Sequence, residues 1–316
     1  MKLAVLFPGQ GSQYLGMGSE FIASSTECEA IMGMAASVCD FPLAKIIAEG
    51  PMEELTRAAV LQPAITVTNL ICLKALQDAL PESVEASCYA GHSLGEFSAL
   101  CGAGVLSVAD TIQLVERRGY LMGREGDRRP GGMRAILGLD IADIEEAVNS
   151  YRGTGDVTVA NYNTPQQIVI SGSTDGLDWV SAAVEEQGAK VIVLNVSVAN
   201  HSPLVEGAVD DFNKVIDSVH FETPRSTVYF NVTAEQEDDP SRIRQMMARQ
   251  IVSRVRWYEI ISAMLADGVD TFVEVGPKTV LKGMMRKIVP KGANVTTLQF
   301  DTPESLHLCL EKLDLR

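Results

Sequence analysis

The pentapeptide Gly91–Gly95, Gly-His-Ser-Leu-Gly, has the G-x-S-x-G spacing of a nucleophilic serine on a sharp turn. The apolar segment Ala86–Ala90 before it predicts a strand, and a helix is predicted from Glu96 onward. This context would lift the Ser93 hydroxyl above a sheet edge and point the Leu94 amide at a developing oxyanion. The pattern is also common by chance, and the alternative is a serine that only caps the helix.

A serine nucleophile needs a base, and the chain offers four histidines. His201 lies in an irregular loop before a proline, at the edge of a self-contained unit, and such loops often carry function. His92 adjoins the serine on the turn and is expected to point away from its hydroxyl. We interpret His220 and His307 as structural. The order of serine before histidine is typical of hydrolase-like sites, so His201 is the predicted base.

Two further polar features adjoin predicted elements. The loop Gly9–Gln13 follows the apolar strand Leu3–Phe7, where a second oxyanion amide would lie. The pair Arg117 and Arg118 lies on a predicted helix, Val108–Met122, among apolar and tyrosine residues. An inward arginine binds a carboxylate bidentately, and that carboxylate belongs either to the protein or to a substrate. Spacing alone favours a structural salt bridge, and both interpretations stay open here.

The order of predicted elements divides the chain into two units. Strands and helices alternate up to about residue 127, which predicts an α/β fold with a parallel sheet. The stretch Arg128–Gly132 has the composition of a linker, and a β-α-β-β-α-β order follows it, as in ferredoxin-like units. We therefore predict a hydrolase-like large subdomain formed by residues 1–127 and 199–316. A ferredoxin-like small subdomain, residues 128–198, is inserted into it.

Composition excludes several classes of protein. The chain has 316 residues, 46% of them hydrophobic and 21% charged, as in an ordinary globular protein. Its net charge of −15 argues against nucleic-acid binding, since phosphate backbones would be repelled. No apolar run approaches the roughly 18 residues of a membrane span. The six cysteines have no C-x-x-C spacing, which predicts no metal site and a reducing, cytoplasmic location.

Five segments together resemble the malonyl-CoA:acyl carrier protein transacylases and the acyltransferase domains of polyketide and fatty-acid synthases. They occur in the family's order and extend from residue 5 to about residue 287. The segments are Phe7–Gln13, Gly91–Leu100, Val115–Gly119, Asn195–His201 and Phe272–Pro277. This family combines a hydrolase-like core with a ferredoxin-like insert, which agrees with the two units predicted above.

The resemblance implies roles for particular residues. Ser93 would take the acyl group from coenzyme A, and His201 would be its base. Gln250 would supply the main-chain carbonyl that orients this histidine in place of a carboxylate. The amides of Gln10 and Leu94 would form the oxyanion hole.

Substrate selection is also implied by the resemblance. Arg118 would hold the malonyl carboxylate, which leaves Arg117 structural. His92, Asn161 and Asn200 would line the cleft, and Asn200 falls in the wall that selects the acyl group in this family.

Acidic carrier proteins need a local basic surface on an enzyme with this net charge. Lys278, Lys282, Arg286, Lys287 and Lys291 occur with no acidic residue between them. The i, i+4 spacing of positions 278, 282 and 286 predicts one helix face. This face is either a docking site for the carrier or for coenzyme A phosphates, or simply a solvated surface.

The predicted function is transfer of malonyl from malonyl-CoA to the phosphopantetheine thiol of an acyl carrier protein. An acyl-serine intermediate would give a ping-pong scheme that supplies fatty-acid synthesis, with no permanently bound cofactor. One alternative is an acyltransferase acting in trans on a polyketide synthase. Another class is a serine thioesterase or esterase, which would transfer the acyl group to water and would not need Arg118. A non-catalytic carrier-binding subunit would lack the nucleophile or the base.

Overall fold

The computed structural model describes residues 1–196 and 198–315. Ser197, which belongs to the segment before His201, and Arg316 lie outside the described residues. The described strands are β1 (Leu3–Phe7), β2 (Cys88–Gly91), β3 (Gly132–Leu137), β4 (Val157–Thr164), β5 (Gln167–Gly172), β6 (Lys190–Val193), β7 (Thr227–Val228), β8 (Thr271–Val275) and β9 (Thr296–Phe300).

Most of the helices belong to the part of the chain that carries the larger sheet. The described α-helices are α1 (Ser19–Ser24), α2 (Thr26–Val38), α3 (Leu43–Glu49), α4 (Met52–Thr56), α5 (Ala58–Ala79), α6 (Gly95–Gly102), α7 (Val108–Arg128), α8 (Ile141–Ser150), α9 (Thr174–Glu186), α10 (Val209–Asp217), α11 (Pro240–Arg249), α12 (Trp257–Ala266), α13 (Val280–Ile288) and α14 (Pro303–Lys312). Two short 3₁₀ helices cover Pro203–Ala208 and Gln250–Val252.

The larger sheet has five parallel strands in the order β7-β2-β1-β8-β9. All five residues of β1 are buried, because this strand pairs with a neighbour on each side and apolar clusters cover both of its faces. The continuous apolar run Leu3–Phe7 is typical of such a strand. The predicted α/β fold with a parallel sheet is confirmed. Because β1 and β2 are parallel, their C-terminal ends lie at the same edge of the sheet, and residues of the candidate site follow both strands at that edge.

The smaller sheet has four antiparallel strands in the order β4-β5-β3-β6. If the strands of this unit are numbered 1 to 4 along the chain, their order in the sheet is 2-3-1-4, which is the ferredoxin-like arrangement. Helices α8 and α9 pack against these strands over an apolar cluster that includes Ile136, Ile168 and Val180. The predicted ferredoxin-like insert is therefore confirmed, whereas its boundaries at residues 128 and 198 stay a prediction.

The end of one helix differs from the prediction, and another helix contains a proline. Helix α7 continues through Arg128, so the linker begins after this residue and not at it. Helix α5 begins at Ala58 although it contains Pro63, a residue that disfavours a helix interior. Its first turn lies tightly against α7, where a Cβ on Gly119 would approach the Ala58 carbonyl oxygen to 2.6 Å. Close packing between these two helices outweighs the cost of the proline.

Helix α5 is long and apolar enough to cross a membrane when judged by length and composition alone. In the described structure, however, 83% of its most apolar 18-residue window is buried. Its apolar residues are therefore those of a core helix.

Candidate active site

Ser93 occupies a sharp turn between β2 and α6 with a backbone φ of 52°, in the left-handed region that side chains disfavour. The flanking glycines allow this turn. A Cβ on Gly91 would lie 2.0 Å from the carbonyl carbon of Gly95, and one on Gly95 would lie 2.3 Å from the Phe7 carbonyl oxygen. The sequence Gly-x-Ser-x-Gly thus permits close approach of β1, β2 and α6, and it leaves the serine at the edge of the sheet.

The structure brings Ser93 and His201 together. The Ser93 Oγ and the His201 Nε2 are 2.7 Å apart, although the two residues come from distant parts of the chain. The His201 Nδ1 faces two main-chain carbonyl oxygens, that of Gln250 at 3.1 Å and that of Ser253 at 2.8 Å. Because carbonyls only accept, Nδ1 carries the hydrogen and Nε2 is free to accept the serine proton.

His201 is buried, and burial lowers its pKa to about 3. This value includes the positive charge of Arg118, which also lowers the pKa, and the hydrogen bonds to the two carbonyls, which raise it. The imidazole is therefore neutral at physiological pH, which is the state that a general base requires.

Arg118 comes from α7 and is 2% exposed. Its guanidinium donates to side-chain amide oxygens, from Nη1 to Gln62 at 2.6 Å and from Nη2 to Gln250 at 2.9 Å. Nη2 also lies 3.3 Å from the Ser93 Oγ. Burial lowers the pKa of Arg118 to about 9, and the charge of Glu96 opposes that shift.

Within residues 1–196 and 198–315, Arg118 forms no salt bridge and its Nε has no hydrogen-bond partner. The interpretation as a direct structural ion pair therefore has no support in these residues, although the charge of Glu96 acts on Arg118 with no salt bridge between them. Arg117 differs from its neighbour: it is half-buried, and its guanidinium lies 4.8 Å from the centroid of the Tyr120 ring.

The cavity above Ser93 lies between the two sheets. Its walls include Gln10, His92, Leu281 and Met284 from the larger unit, and Met133, Asn161, Asn163 and Val169 from the smaller one. In the described part of the chain, the amides of Gln10 and Leu94 have no hydrogen-bond partner. Both donors are therefore unoccupied, as an oxyanion hole requires.

The three residues expected to line the cleft do so in different ways. His92 points away from the serine hydroxyl, and its Nε2 lies 2.8 Å from the Asn163 Oδ1 across the two units. Burial lowers the pKa of this histidine. Asn161 is buried on β4, and the Asn200 Nδ2 contacts the Met133 sulfur at 3.7 Å.

Sequence reasoning missed several residues of this site. Gln62, Asn163 and Ser253 contact Arg118, His92 and His201 respectively. For Gln62, the available signal is a polar side chain among the apolar residues that begin α5. Ser253 has no such signal, because it acts through its main-chain carbonyl.

The basic segment lies beside the cavity, but one part of its prediction is wrong. Lys278 precedes helix α13 in a turn with a φ of 61°, and its amide donates to Asp301. The i, i+4 face on α13 is therefore limited to Lys282 and Arg286. The same helix contributes Val280, Leu281 and Met284 to the cavity wall, so its basic residues lie near the site.

Comparisons with known proteins agree in family and fold. A family model described as "Acyl transferase domain" matches residues 5–300. The chain is 35% identical to the malonyl CoA-acyl carrier protein transacylase of Bacillus subtilis (strain 168) over 314 residues, which cover 99% of this chain and 97% of that protein. It is 34% identical to the transacylase of the same name from Escherichia coli (strain K12), with 98% and 99% of the two chains covered. It is also 36% identical to the polyketide biosynthesis protein ThaF of Burkholderia thailandensis, over 93% of this chain and 25% of that protein.

Two solved structures have closely similar folds. The malonyl CoA-acyl carrier protein transacylase of Coxiella burnetii superposes with a TM-score of 0.93 at 31% identity, covering 99% of this chain and 98% of that one. A complex of a type II polyketide-synthase acyl carrier protein with its malonyl-transacylase gives a TM-score of 0.92 at 33% identity, covering 99% and 100%.

Proposed function

The chain belongs to the malonyl-CoA:acyl carrier protein transacylase family of acyltransferases, and we propose that it moves malonyl from coenzyme A to the phosphopantetheine thiol of an acyl carrier protein. The observation that carries this proposal is the Ser93–His201 pair at 2.7 Å, with the guanidinium of Arg118, which forms no salt bridge in the described residues, beside it. The sequence relatives of that name, and the related transacylase solved with its carrier protein, support it.

In the first half-reaction, the Ser93 Oγ attacks the thioester carbonyl of malonyl-CoA while the His201 Nε2 takes the hydroxyl proton. The oxyanion that forms would accept hydrogen bonds from the amides of Gln10 and Leu94. The carbon–sulfur bond then breaks, and His201 returns the proton to the leaving thiolate. Coenzyme A departs, and malonyl remains as an ester of Ser93.

In the second half-reaction, the phosphopantetheine thiol of the carrier takes the place of coenzyme A. His201 removes the thiol proton, and the sulfur attacks the ester carbonyl. The carbon–oxygen bond to Ser93 breaks, and the proton passes from His201 to the serine oxygen. The first half-reaction converts free Ser93 into its malonyl ester, and the second consumes this ester and restores free Ser93, which gives ping-pong kinetics.

Arg118 would select malonyl among small acyl groups. In the described structure, the amide oxygens of Gln62 and Gln250 each accept one hydrogen bond from its Nη atoms, and amides are weaker partners than a carboxylate. With a pKa near 9, the guanidinium is charged at neutral pH. A buried cation that forms no salt bridge within the described residues is costly, so the free carboxylate of malonyl would be bound strongly.

The carrier protein would dock on the basic residues next to the cavity, Lys278, Lys282, Arg286 and Lys287. Fatty-acid synthesis is the proposed pathway, with malonyl-CoA as donor and no permanent cofactor. The proposed compartment is the cytoplasm, whose reducing conditions suit six free cysteines. A role on a polyketide synthase is the second candidate, because ThaF and the carrier complex both come from polyketide biosynthesis.

Intact-mass spectrometry after exposure to malonyl-CoA or acetyl-CoA tests the proposal. Wild type should gain one malonyl group, and Ser93→Ala should gain none. Arg118→Ala should acylate with malonyl about a hundredfold more slowly, since a charge-assisted contact is lost, and should retain or gain activity with acetyl. Arg117→Ala is the matched control and should change neither rate. Malonyl label on Ser93→Ala, or equal losses with both donors in Arg118→Ala, would contradict the assignment.

A further inference from the structure

Glu96, the second residue of α6, is a fully buried carboxylate that the reaction above does not use. Within the described ranges it forms no salt bridge, and it is stabilised by hydrogen bonds and by the nearby charge of Arg118. Its Oε1 accepts the main-chain N–H of Asn231 at 2.5 Å, and its Oε2 accepts the Gln250 Nε2 at 2.7 Å. Each oxygen therefore fixes one neighbouring residue of the site.

The first connection runs through Gln250 to Arg118. The Gln250 Nε2 donates to Glu96 and also to the Ser93 carbonyl oxygen at 2.7 Å, which uses both of its hydrogens. The amide is therefore oriented with its Oε1 toward Arg118, whose Nη2 lies 2.9 Å away. Burial raises the pKa of Glu96 to about 7, while the hydrogen bonds from Asn231 and Gln250 and the charge of Arg118 oppose that shift. Both oxygens of Glu96 accept N–H groups, so this side chain decides which end of the Gln250 amide the guanidinium meets.

The second connection runs through Asn231 to the nucleophile. The Asn231 Oδ1 accepts the Ser93 N–H at 2.7 Å, and its Nδ2 donates to the Gly91 carbonyl oxygen at 2.8 Å. Ser93, with its positive φ, is thus held at its N–H by Asn231 and at its carbonyl by Gln250. Both of these residues are held by Glu96, and such over-determination is what a strained backbone needs.

We propose that Glu96 is a positioning residue that sets the malonyl preference through Gln250 and Arg118 and holds the serine turn through Asn231. This inference rests on the proposed function. The carboxylate is needed because it offers two acceptors to two donors. A glutamine at position 96 would present its own N–H₂ to one of them. The donor of Asn231 is a main-chain N–H that cannot turn, so the glutamine oxygen would face Asn231 and its N–H₂ would face Gln250. Gln250 could then keep its bond to position 96 only by turning its oxygen toward position 96 and its N–H₂ toward the guanidinium.

The test compares Glu96→Gln with Glu186→Gln, the same change at an exposed position of α9. The measured quantity is kcat/KM for malonyl-CoA and for acetyl-CoA with a holo carrier protein as acceptor. Glu96→Gln should lower both values, and it should lower the malonyl value about tenfold more than the acetyl value. Asn231→Ala breaks only the second connection and should lower both by the same factor. Glu186→Gln should behave as wild type.

A double variant shows whether the effect passes through Arg118. In an Arg118→Ala background, Glu96→Gln should leave the malonyl-to-acetyl ratio unchanged. If Glu96→Gln does not fold, Gln250→Met removes the same relay while keeping the main-chain carbonyl for His201, and it should shift the ratio in the same direction.

Several outcomes would overturn the inference. A folded Glu96→Gln with the wild-type ratio would do so, as would a ratio that still shifts when Arg118 is absent. If Gln250→Met is used in place of Glu96→Gln, an unchanged malonyl-to-acetyl ratio would also overturn the inference. A wild-type protein that takes no malonyl onto Ser93 would instead refute the proposed function, and this inference with it.

Discussion

At the scale of single residues, the account depends on the protonation of His201. Two carbonyl oxygens, of Gln250 and Ser253, hold the hydrogen on Nδ1, and burial beside Arg118 disfavours the charged ring. Because the pKa is lowered from 6.5 to about 3, the folded protein takes up this proton only in strong acid. The unfolded chain takes it up near pH 6.5, so this group destabilises the fold as the pH falls below that value.

Imidazole NMR can read this protonation directly. Long-range ¹H–¹⁵N spectra, with the His201→Ala spectrum used for assignment, should show a neutral ring protonated on Nδ1 from pH 8 down to about pH 5. The exposed His220 provides the internal control. If His201 instead titrates with a midpoint near 6.5, or carries its hydrogen on Nε2, the proposed base is wrongly described.

At the scale of elements, sequence patterns predict the strands that are buried on both faces and the turns that local geometry holds. The strand Leu3–Phe7 has the predicted bounds, because continuous apolar runs are typical of central parallel strands. β7 and β9 were not predicted. β7 has only two residues and depends on pairing with β2, and β9 is an edge strand in which only Leu298 and Phe300 are buried.

The same distinction applies to the site. The serine turn and the histidine loop have local signals in residue type and spacing, so both can be identified from the sequence alone. The partners of Arg118 and His201 are harder to find. Gln250 is reached only through the family resemblance, whereas Gln62 and Ser253 come from separate parts of the chain and act through contacts that only the tertiary fold creates.

Helix α13 connects the cavity to the surface. Leu281 and Met284 line the cavity, while Arg286 and Lys287 are exposed. The buried Glu274 accepts the amides of Leu281 and Lys282 at 2.9 and 2.8 Å and so holds the first turn of this helix. The basic side chains are thus presented on a fixed element beside the site.

Charge reversal on α13 should separate the two half-reactions. The double variant R286E/K287E should raise the KM for the holo carrier protein about tenfold or more, since opposite charges at a docking surface mainly govern association. The rate of Ser93 acylation by malonyl-CoA should stay within twofold of wild type, about the scatter of such rates. K74E, near the C-terminal end of α5, is the control and should alter neither quantity. An unchanged KM for the carrier in the double variant would place docking elsewhere.

At the scale of the whole molecule, two units with different sheets enclose one cavity. Ser93 and His201 come from the larger unit, and Asn161 and Asn163 reach the same cavity from the smaller one. The contact between His92 and Asn163 joins the two units at the wall of this cavity. An enclosed position suits an ester intermediate that must outlast contact with water until a thiol arrives.

A single-turnover experiment tests the central claim most directly. Enzyme carrying radiolabelled malonyl on Ser93 is freed of coenzyme A and mixed with a stoichiometric amount of holo acyl carrier protein, and the label is followed over time. The account predicts that the label moves to the carrier as malonyl thioester, and that without a carrier it stays on the enzyme over the same period. Release of the label as free malonate, at a rate that the carrier does not change, would show that the site is a hydrolase and not a transacylase.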